Sequence, residues 1–378
     1  MTSPKRSTFR ISAVAFALAT ALLFGFDSVP LAAQEPEVSL EAEFGGSVEV
    51  TEVLLDVLVN DRQGNVIIGL DKGDFVVEEN GEPVEIESLT FYSNRLLESP
   101  SPGLASAGVT PQDVPQDRYF LLFFQDQRRN AFEVPRLLSR QLDAGRQAKR
   151  WIRSELQPGD WVAVVSYDVK LKVHEDFTQD RRELMAAVDR AMKGEDTGNW
   201  PSRVKEGGGP SLTQALPQGN LLRDHTKTIY DALQVLARAS GEVQGRKNLL
   251  LFTIGFGDVD SFGQYRPDAR YYRPTMESLN DNNVAVYPID LMPSGFDHTF
   301  ESAMNHLALD TGGRYFFNFT SFMTPLREAA ESTSGYYLLS YTARHPADES
   351  GYQEVKVSTK NPEFKVQARE GYLYGDGR

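Results

Sequence analysis

From residue 118 onward, short unbroken apolar runs alternate with stretches whose apolar positions recur every three to four residues. The runs are YFLLFF (119–124), WVAVVSYD (161–168), NLLLFTI (248–254) and VAVYPID (284–290). Runs of this length predict strands covered on both faces, as in a parallel sheet. Between them, residues 136–156 place Ala148, Trp151, Ile152 and Leu156 on one helical face. A second predicted helix has Asp180 as its N-cap and Leu184, Ala187, Val188 and Met192 as its stripe. A third carries Ile229, Leu233, Leu236, Ala237 and Ser240 at helical spacing, and TMESLNDNN (275–283) predicts a fourth. Residues 193–224, with their glycine triplet, show little periodicity and predict a long loop. Strands alternating with helices predict an α/β class with a mostly parallel sheet.

The flanks carry a different period. Residues 48–59 place Val48, Val50, Val53, Leu55, Val57 and Val59 near alternation, a turn follows at 61–64, and Asn80-Gly81 sits between two short β runs. The chain ends in β patterns again, GYYLLSYT (335–342), QEVKVST (353–359) and FKVQAREGYLY (364–374). The terminal strands are too few to be stable alone. They are expected to pair with the N-terminal ones in a small β-sandwich. The expected organisation is a leader (1–33), an N-terminal β region (34–93), a Pro/Ser/Gly-rich linker (94–117), the α/β domain (118–332) and C-terminal strands (333–378).

Composition changes this picture in three places. A basic N-terminus, an apolar run at 11–26 and the small residues Ala32 and Ala33 predict a signal peptide cleaved near Ala33. The protein is therefore expected in the periplasm or outside the cell, with no membrane span in the mature chain. The formal charge of −14, made more negative by loss of the leader, argues against nucleic acid as a partner. The absence of cysteine removes disulfides, thiolate metal sites and cysteine nucleophiles.

DRQGNVIIGLDKGDFVVEENGEPVEI (61–86), GDWVAVVSYD, DFTQDRREL, TIYDAL, GRKNLLLFTIGFGD, LALDTGGRYF, SGYYLLSYT and VQAREGY follow one another along residues 47–373. In that order they resemble a von Willebrand factor type A (vWA) protein, and more narrowly the exported vWA-related proteins of acidobacteria. The resemblance implies a doubly wound, Rossmann-like sheet with helices on both faces and ligands at the carboxyl ends of its strands. It also implies a place to look for a metal-ion-dependent adhesion site. That site takes Asp-x-Ser-x-Ser from the first loop, Thr from the second and Asp from the third, giving Mg²⁺ near-octahedral oxygen ligands. Here the first loop offers Gln125, Asp126, Gln127 and, past two arginines, Asn130. The second places Lys227 at the threonine position, between Thr226 and Thr228, and the third has Ile254 where the acid belongs. The expectation is a degenerate face that holds no metal or other cofactor. Lys227 either replaces the ion beside Asp126 or points into solvent. Asp258 and Asp260 are the acids left near the third loop, where Ca²⁺ is the less expected alternative to a solvated turn.

No catalytic pattern is legible. The histidines are scattered and expected on surfaces or helix faces, and neither HExxH, Gly-x-Ser-x-Gly nor a phosphate loop occurs. Tyr265, Arg266, Arg270, Tyr271 and Tyr272 form the residue mix favoured at interfaces. The expectation is an exported, non-enzymatic binding or adhesion module that recognises a protein or cell-envelope polymer through its top loops. The alternatives are a hydrolase with an unrecognised site and a structural or assembly protein acting through the β-sandwich.

Overall fold

The computed structural model describes residues 48–62, 66–93, 117–127, 134–196, 209–243, 245–259, 261, 265–293, 300–346 and 350–374. The expected leader, residues 94–116 of the expected linker, Asn130 and Asp260 lie outside them.

The long apolar runs fold as anticipated. Strands β1 (Val48–Asn60), β2 (Phe75–Glu79), β3 (Glu82–Val84) and β4 (Ser88–Ser93) precede β5 (Arg118–Gln125). Helix α1 (Val134–Ser154), β6 (Asp160–Tyr167), β7 (Leu171–Thr178), α2 (Arg181–Lys193), α3 (Asn220–Asp224), α4 (Ile229–Ser240) and β8 (Lys247–Thr253) follow. Then come β9 (Asp258–Val259), β10 (Tyr265–Arg266), α5 (Ala269–Asp281), β11 (Val284–Asp290), α6 (Glu301–Asp310) and α7 (Met323–Ser332). The chain closes with β12 (Gly335–Pro346), β13 (Gly351–Thr359), β14 (Lys365–Gln367) and β15 (Gly371–Tyr374).

Five strands form one sheet in the order β11-β8-β5-β6-β7, all parallel except the β6–β7 pair. Phe316 adds a parallel bridge to Ile289 at the β11 edge. Successive residues of β5 serve opposite layers, which is why its run is unbroken. Phe120, Leu122 and Phe124 pack with α1, α2 and α7, while Leu121 and Phe123 pack with α4 and α5. Each such buried side chain contributes roughly 1.5–3 kcal/mol of transfer free energy. The helices begin where the sequence signals them. Asp180 accepts from the Arg182 and Glu183 amides, Gly194 closes α2 at φ 65°, and the stripe between is buried. Thr228 and Asp231 form a reciprocal capping box on α4.

The flanking strands build two four-stranded antiparallel sheets, β14-β1-β12-β4 and β15-β13-β2-β3, each mixing early and late segments of the chain. β1 pairs with β12 from Val48↔Pro346 to Val57↔Tyr337. Val53, Leu55, Val57, Leu339 and Tyr341 from one sheet meet Phe75, Val77 and Val355 from the other. Asn80 and Gly81 turn the β2–β3 hairpin with φ of 50° and 82°. Within this sandwich Glu79 accepts from Tyr341 (2.6 Å) and Tyr372 (2.8 Å), and the Tyr372 oxygen lies 2.9 Å from His345 Nε2.

Three elements differ from expectation, the first being the short α3 helix, which lies within the stretch expected as a loop. β7 was not anticipated, because LKVHEDFT carries five polar side chains, four of which the fold buries. The α5 helix starts at Ala269, earlier than the pattern suggests, because Asp268 caps it by accepting from the Arg270 amide. Tyr271 and Tyr272 are therefore helical. Among the described residues no helix is long and apolar enough to cross a membrane.

Lys247 opens β8 with its side chain buried and its ammonium donating to the Val243 carbonyl at 2.9 Å. Burial pushes its pKa down from the ordinary 10.5 to about 8, against the attraction of Asp56. The unfolded chain then holds a proton that the folded chain has released, so stability rises with pH between those two values. From pH 7.5 to 9.5 the gain should be roughly 1–2 kcal/mol. Urea midpoints at the two pH values check it, and the Lys247→Met variant should show no such rise.

Candidate functional site

The carboxyl ends of β5, β6, β8 and β11 lie side by side, so the loops that leave them converge. The first loop turns inward at once. The Asp126 amide donates to the Tyr167 carbonyl (2.8 Å) and the Gln127 amide to Gln141 Oε1 (2.8 Å), while Gln127 Nε2 returns to the Gln125 carbonyl (2.9 Å). Gln127 and Gln141 are buried, and among the described residues Gln141 Nε2 has no partner. The Gln125 amide oxygen accepts from the Thr253 hydroxyl, whose own oxygen accepts from the Gly255 amide at 2.8 Å. A neutral glutamine–threonine link thus joins the first and third loops.

In the second loop all three candidate side chains have structural employment or none. Thr226 is buried, donates to the Leu222 carbonyl (2.6 Å) and accepts from the Leu171 amide (3.0 Å). Thr228 is committed to the α4 cap. Lys227 is exposed, and its carbonyl accepts from the Tyr167 hydroxyl at 2.8 Å. Burial, with Asp231 and Asp168 nearby, pushes that phenol up to about 12. Among the described residues no ion pair joins Lys227 to Asp126, so of the two readings of this lysine the structure takes the solvent-facing one.

The third loop follows TIGFG. Ile254 is half-buried against the core, and Gly255 and Gly257 sit at φ 88° and 135°. A Cβ on Gly255 would lie 2.3 Å from Phe300 Cβ, and one on Gly257 would lie 2.4 Å from the Tyr265 ring. Beside it, at the end of β11, Asp290 accepts from the Met292 amide (2.7 Å) and the Tyr315 hydroxyl (3.2 Å). Arg140 donates to the Leu291 carbonyl (2.8 Å) with its guanidinium 4.8 Å over Phe322, and burial holds its pKa below the ordinary value. Asp258 is exposed on the β9–β10 ladder, paired in register with Arg266. Among the described residues no group of three or more acidic, histidine or cysteine side chains could hold a metal ion.

The aromatic-arginine cluster is largely packed inward. Tyr271 stacks on Tyr230 at 5.8 Å, Tyr230 meets Phe256 edge-on at 5.2 Å, and Tyr272 donates to Asp310 at 2.5 Å. Tyr265 is half-buried beside them. Arg266 and Arg270 remain exposed, Arg270 paired with Asp268.

Sequence reasoning missed two histidines. His174 and His345 are buried strand residues, not surface ones. His174 Nε2 lies 2.8 Å from the Ser166 hydroxyl, and both residues are nearly inaccessible, at 3% and 2% exposure. A substrate would have to open the sheet to reach that pair. Their places on β7 and β12 were the available signal, and in β7 the polar neighbours obscured it.

No family model matches the chain, and no curated protein matches it. Solved structures similar to it include proximal thread matrix protein 1 from the mussel byssus, at 14% identity and a TM-score of 0.36, over 58% of this chain and 48% of that one. The chain thus spans about half the length of that protein. BatB from Bacteroides thetaiotaomicron is 13% identical with a TM-score of 0.35, over 57% and 97%. The ArnB paralog VWA2 from Sulfolobus acidocaldarius is 11% identical with a TM-score of 0.31, over 87% and 76%. By its own strand order, with one antiparallel edge and helices on both faces, the five-stranded domain has a vWA-like fold.

Proposed function

We propose that this protein is an exported, non-enzymatic binding module that engages a protein or cell-envelope polymer through the upper loops of its vWA-like domain without a metal ion. The observation that carries this reading is how the three loops spend their oxygen atoms. The Thr253 hydroxyl is committed to Gln125, the Thr226 hydroxyl to the backbone and the Thr228 hydroxyl to a helix cap. Ile254 stands where a carboxylate would complete the set. Mg²⁺ needs oxygen ligands free to face it, several of them anionic. A partner instead meets exposed Lys227 and the neutral Gln125–Thr253 link, groups suited to hydrogen bonding.

Calorimetry and thermal melting of the full chain with Mg²⁺, Mn²⁺ and Ca²⁺ after chelation test it, alongside Lys227→Thr and Ile254→Asp. The expected result is no heat and no shift in Tm for the wild type. Binding of Mg²⁺ at micromolar concentration would overturn the metal-free reading and point to a carboxylate-bearing partner.

A further inference from the structure

At the end of the parallel strands remote from the upper loops, where β5, β8 and β11 begin, the α/β layer does not close on the sandwich. A cavity of about 740 Å³ opens between them, within the ~300–1,000 Å³ span of small-molecule pockets, which favour such junctions. Alternate residues of β1 make this possible. Val53, Leu55 and Val57 serve the sandwich core, while Glu52, Leu54 and Asp56 line the cavity. The groups that a ligand reaches are those on its open side. Glu52, Asp117 and Asp281 are exposed, and Leu54 is 50% exposed. Tyr92, Tyr119 and Tyr336 are half-buried lining residues.

The arginines behind these groups are already engaged. Arg118 pairs with Asp160 at 2.7 Å, and Arg246 lies 3.5 Å from Asp56. Arg369 donates to the Leu54 carbonyl (2.8 Å) and is attracted by both Asp56 and Asp281. Among the described residues, Glu52 and Asp117 have no cation paired with them. They stand at opposite ends of an aromatic floor. A Cβ on Gly245 would lie 3.9 Å from both the Tyr119 ring and the Tyr336 hydroxyl, so these side chains meet where Asp117 leads into β5. Tyr336 in turn stacks on Tyr92 at 5.1 Å and 11°. Glu52 lies opposite Thr342, six residues along β12 from Tyr336, a run of about 20 Å. Leu54 lies between.

We infer that this junction binds a linear polyamine, its terminal ammonium groups at Asp117 and Glu52 and its methylene segments along Leu54 and the tyrosine rings. An ammonium only donates and an ionised carboxylate only accepts, so the two are complementary. The face of a tyrosine ring attracts a cation and offers apolar surface to the carbons beside it. An anion would meet two carboxylates with no cation to offset them. A neutral ligand would leave both of those charges unanswered, and a compact cation would answer one end alone. An extended chain with a cation at each end answers both. The site is remote from the upper loops, so its success or failure is independent of the metal-free reading above.

The test is calorimetry on the full chain with putrescine, spermidine and spermine, and with tetraethylene glycol as an uncharged chain. Spermidine or spermine should bind, putrescine should bind about tenfold more weakly, and the glycol should not bind. Added NaCl should weaken binding. Glu52→Gln/Asp117→Asn changes two exposed side chains and should weaken binding about tenfold. Leu54→Arg, which adds bulk and positive charge midway, should do the same. Glu82→Gln/Glu85→Gln removes equal charge from exposed positions at the β3 edge and should leave binding unchanged, which separates the site from a general attraction of polycations to an acidic protein. Circular dichroism should be the same for all four proteins. Absence of polyamine binding, putrescine binding as tightly as spermine, or equal losses in the two double variants would each overturn the assignment.

Discussion

Asp176→Ala should lower the stability of the domain by about 3–5 kcal/mol, the cost typical of removing one partner from a buried charged network. The carboxylate lies at the end of β7, 4% exposed, and accepts five hydrogen bonds. They come from the Phe177 amide (2.7 Å), the Ser211 hydroxyl (2.6 Å), the Leu212 amide (2.8 Å), and the Thr213 amide (3.3 Å) and hydroxyl (2.7 Å). Four of these donors belong to the turn that enters the α3 region. Alanine strands all five donors, whereas asparagine keeps one acceptor oxygen and should cost roughly 2 kcal/mol. Urea unfolding measures both, and limited proteolysis should cut first within 209–216 in the alanine variant. A loss below about 1 kcal/mol would show that the carboxylate is not what holds the turn.

The second large effect concerns Arg118 and Asp160, which face each other where β5 and β6 begin. Their two contacts are 2.7 and 2.8 Å, and both side chains are buried. Asp160 also accepts from the Gln157 amide (2.8 Å), and Arg118 reaches the Ala330 carbonyl while its guanidinium lies 5.0 Å over Phe120. Asp160→Ala leaves a desolvated guanidinium without its counter-ion and should cost about 3–5 kcal/mol. Arg118→Met/Asp160→Ala should cost less than the sum of the single changes, because neither charge is then left behind. Denaturant titration of the four proteins gives the coupling directly. Strict additivity would mean that the pair is not energetically joined.

Much of the architecture was legible because the sheet is buried on both faces. A strand covered twice must be apolar throughout, so β5, β6, β8 and β11 announced themselves, α2 carried both its stripe and its cap, and α4 carried its stripe. β7 was hidden for the opposite reason. Its Lys172, His174 and Asp176 are buried by pairing with Asp168, Ser166 and the 211–213 turn, partners that no local pattern reveals. The same limit applied to the upper loops. That Lys227 and Ile254 depart from a metal-binding pattern could be read directly. That Gln125 and Thr253 would bond to each other could not, since they meet only across the assembled sheet.

The ladder between β1 and β12 also sets an order of events during synthesis. The first described strand finds its main partner only after the α/β layers have been made, so its loop is closed late and across nearly the whole sequence. Pairings of such high contact order form slowly. Until β12 emerges, β1 presents Val53, Leu55 and Val57 on an open edge, a template for pairing with other chains. A newly made chain therefore passes through a stage in which its first described strand lacks its main partner, and removal of β12 would make that stage permanent.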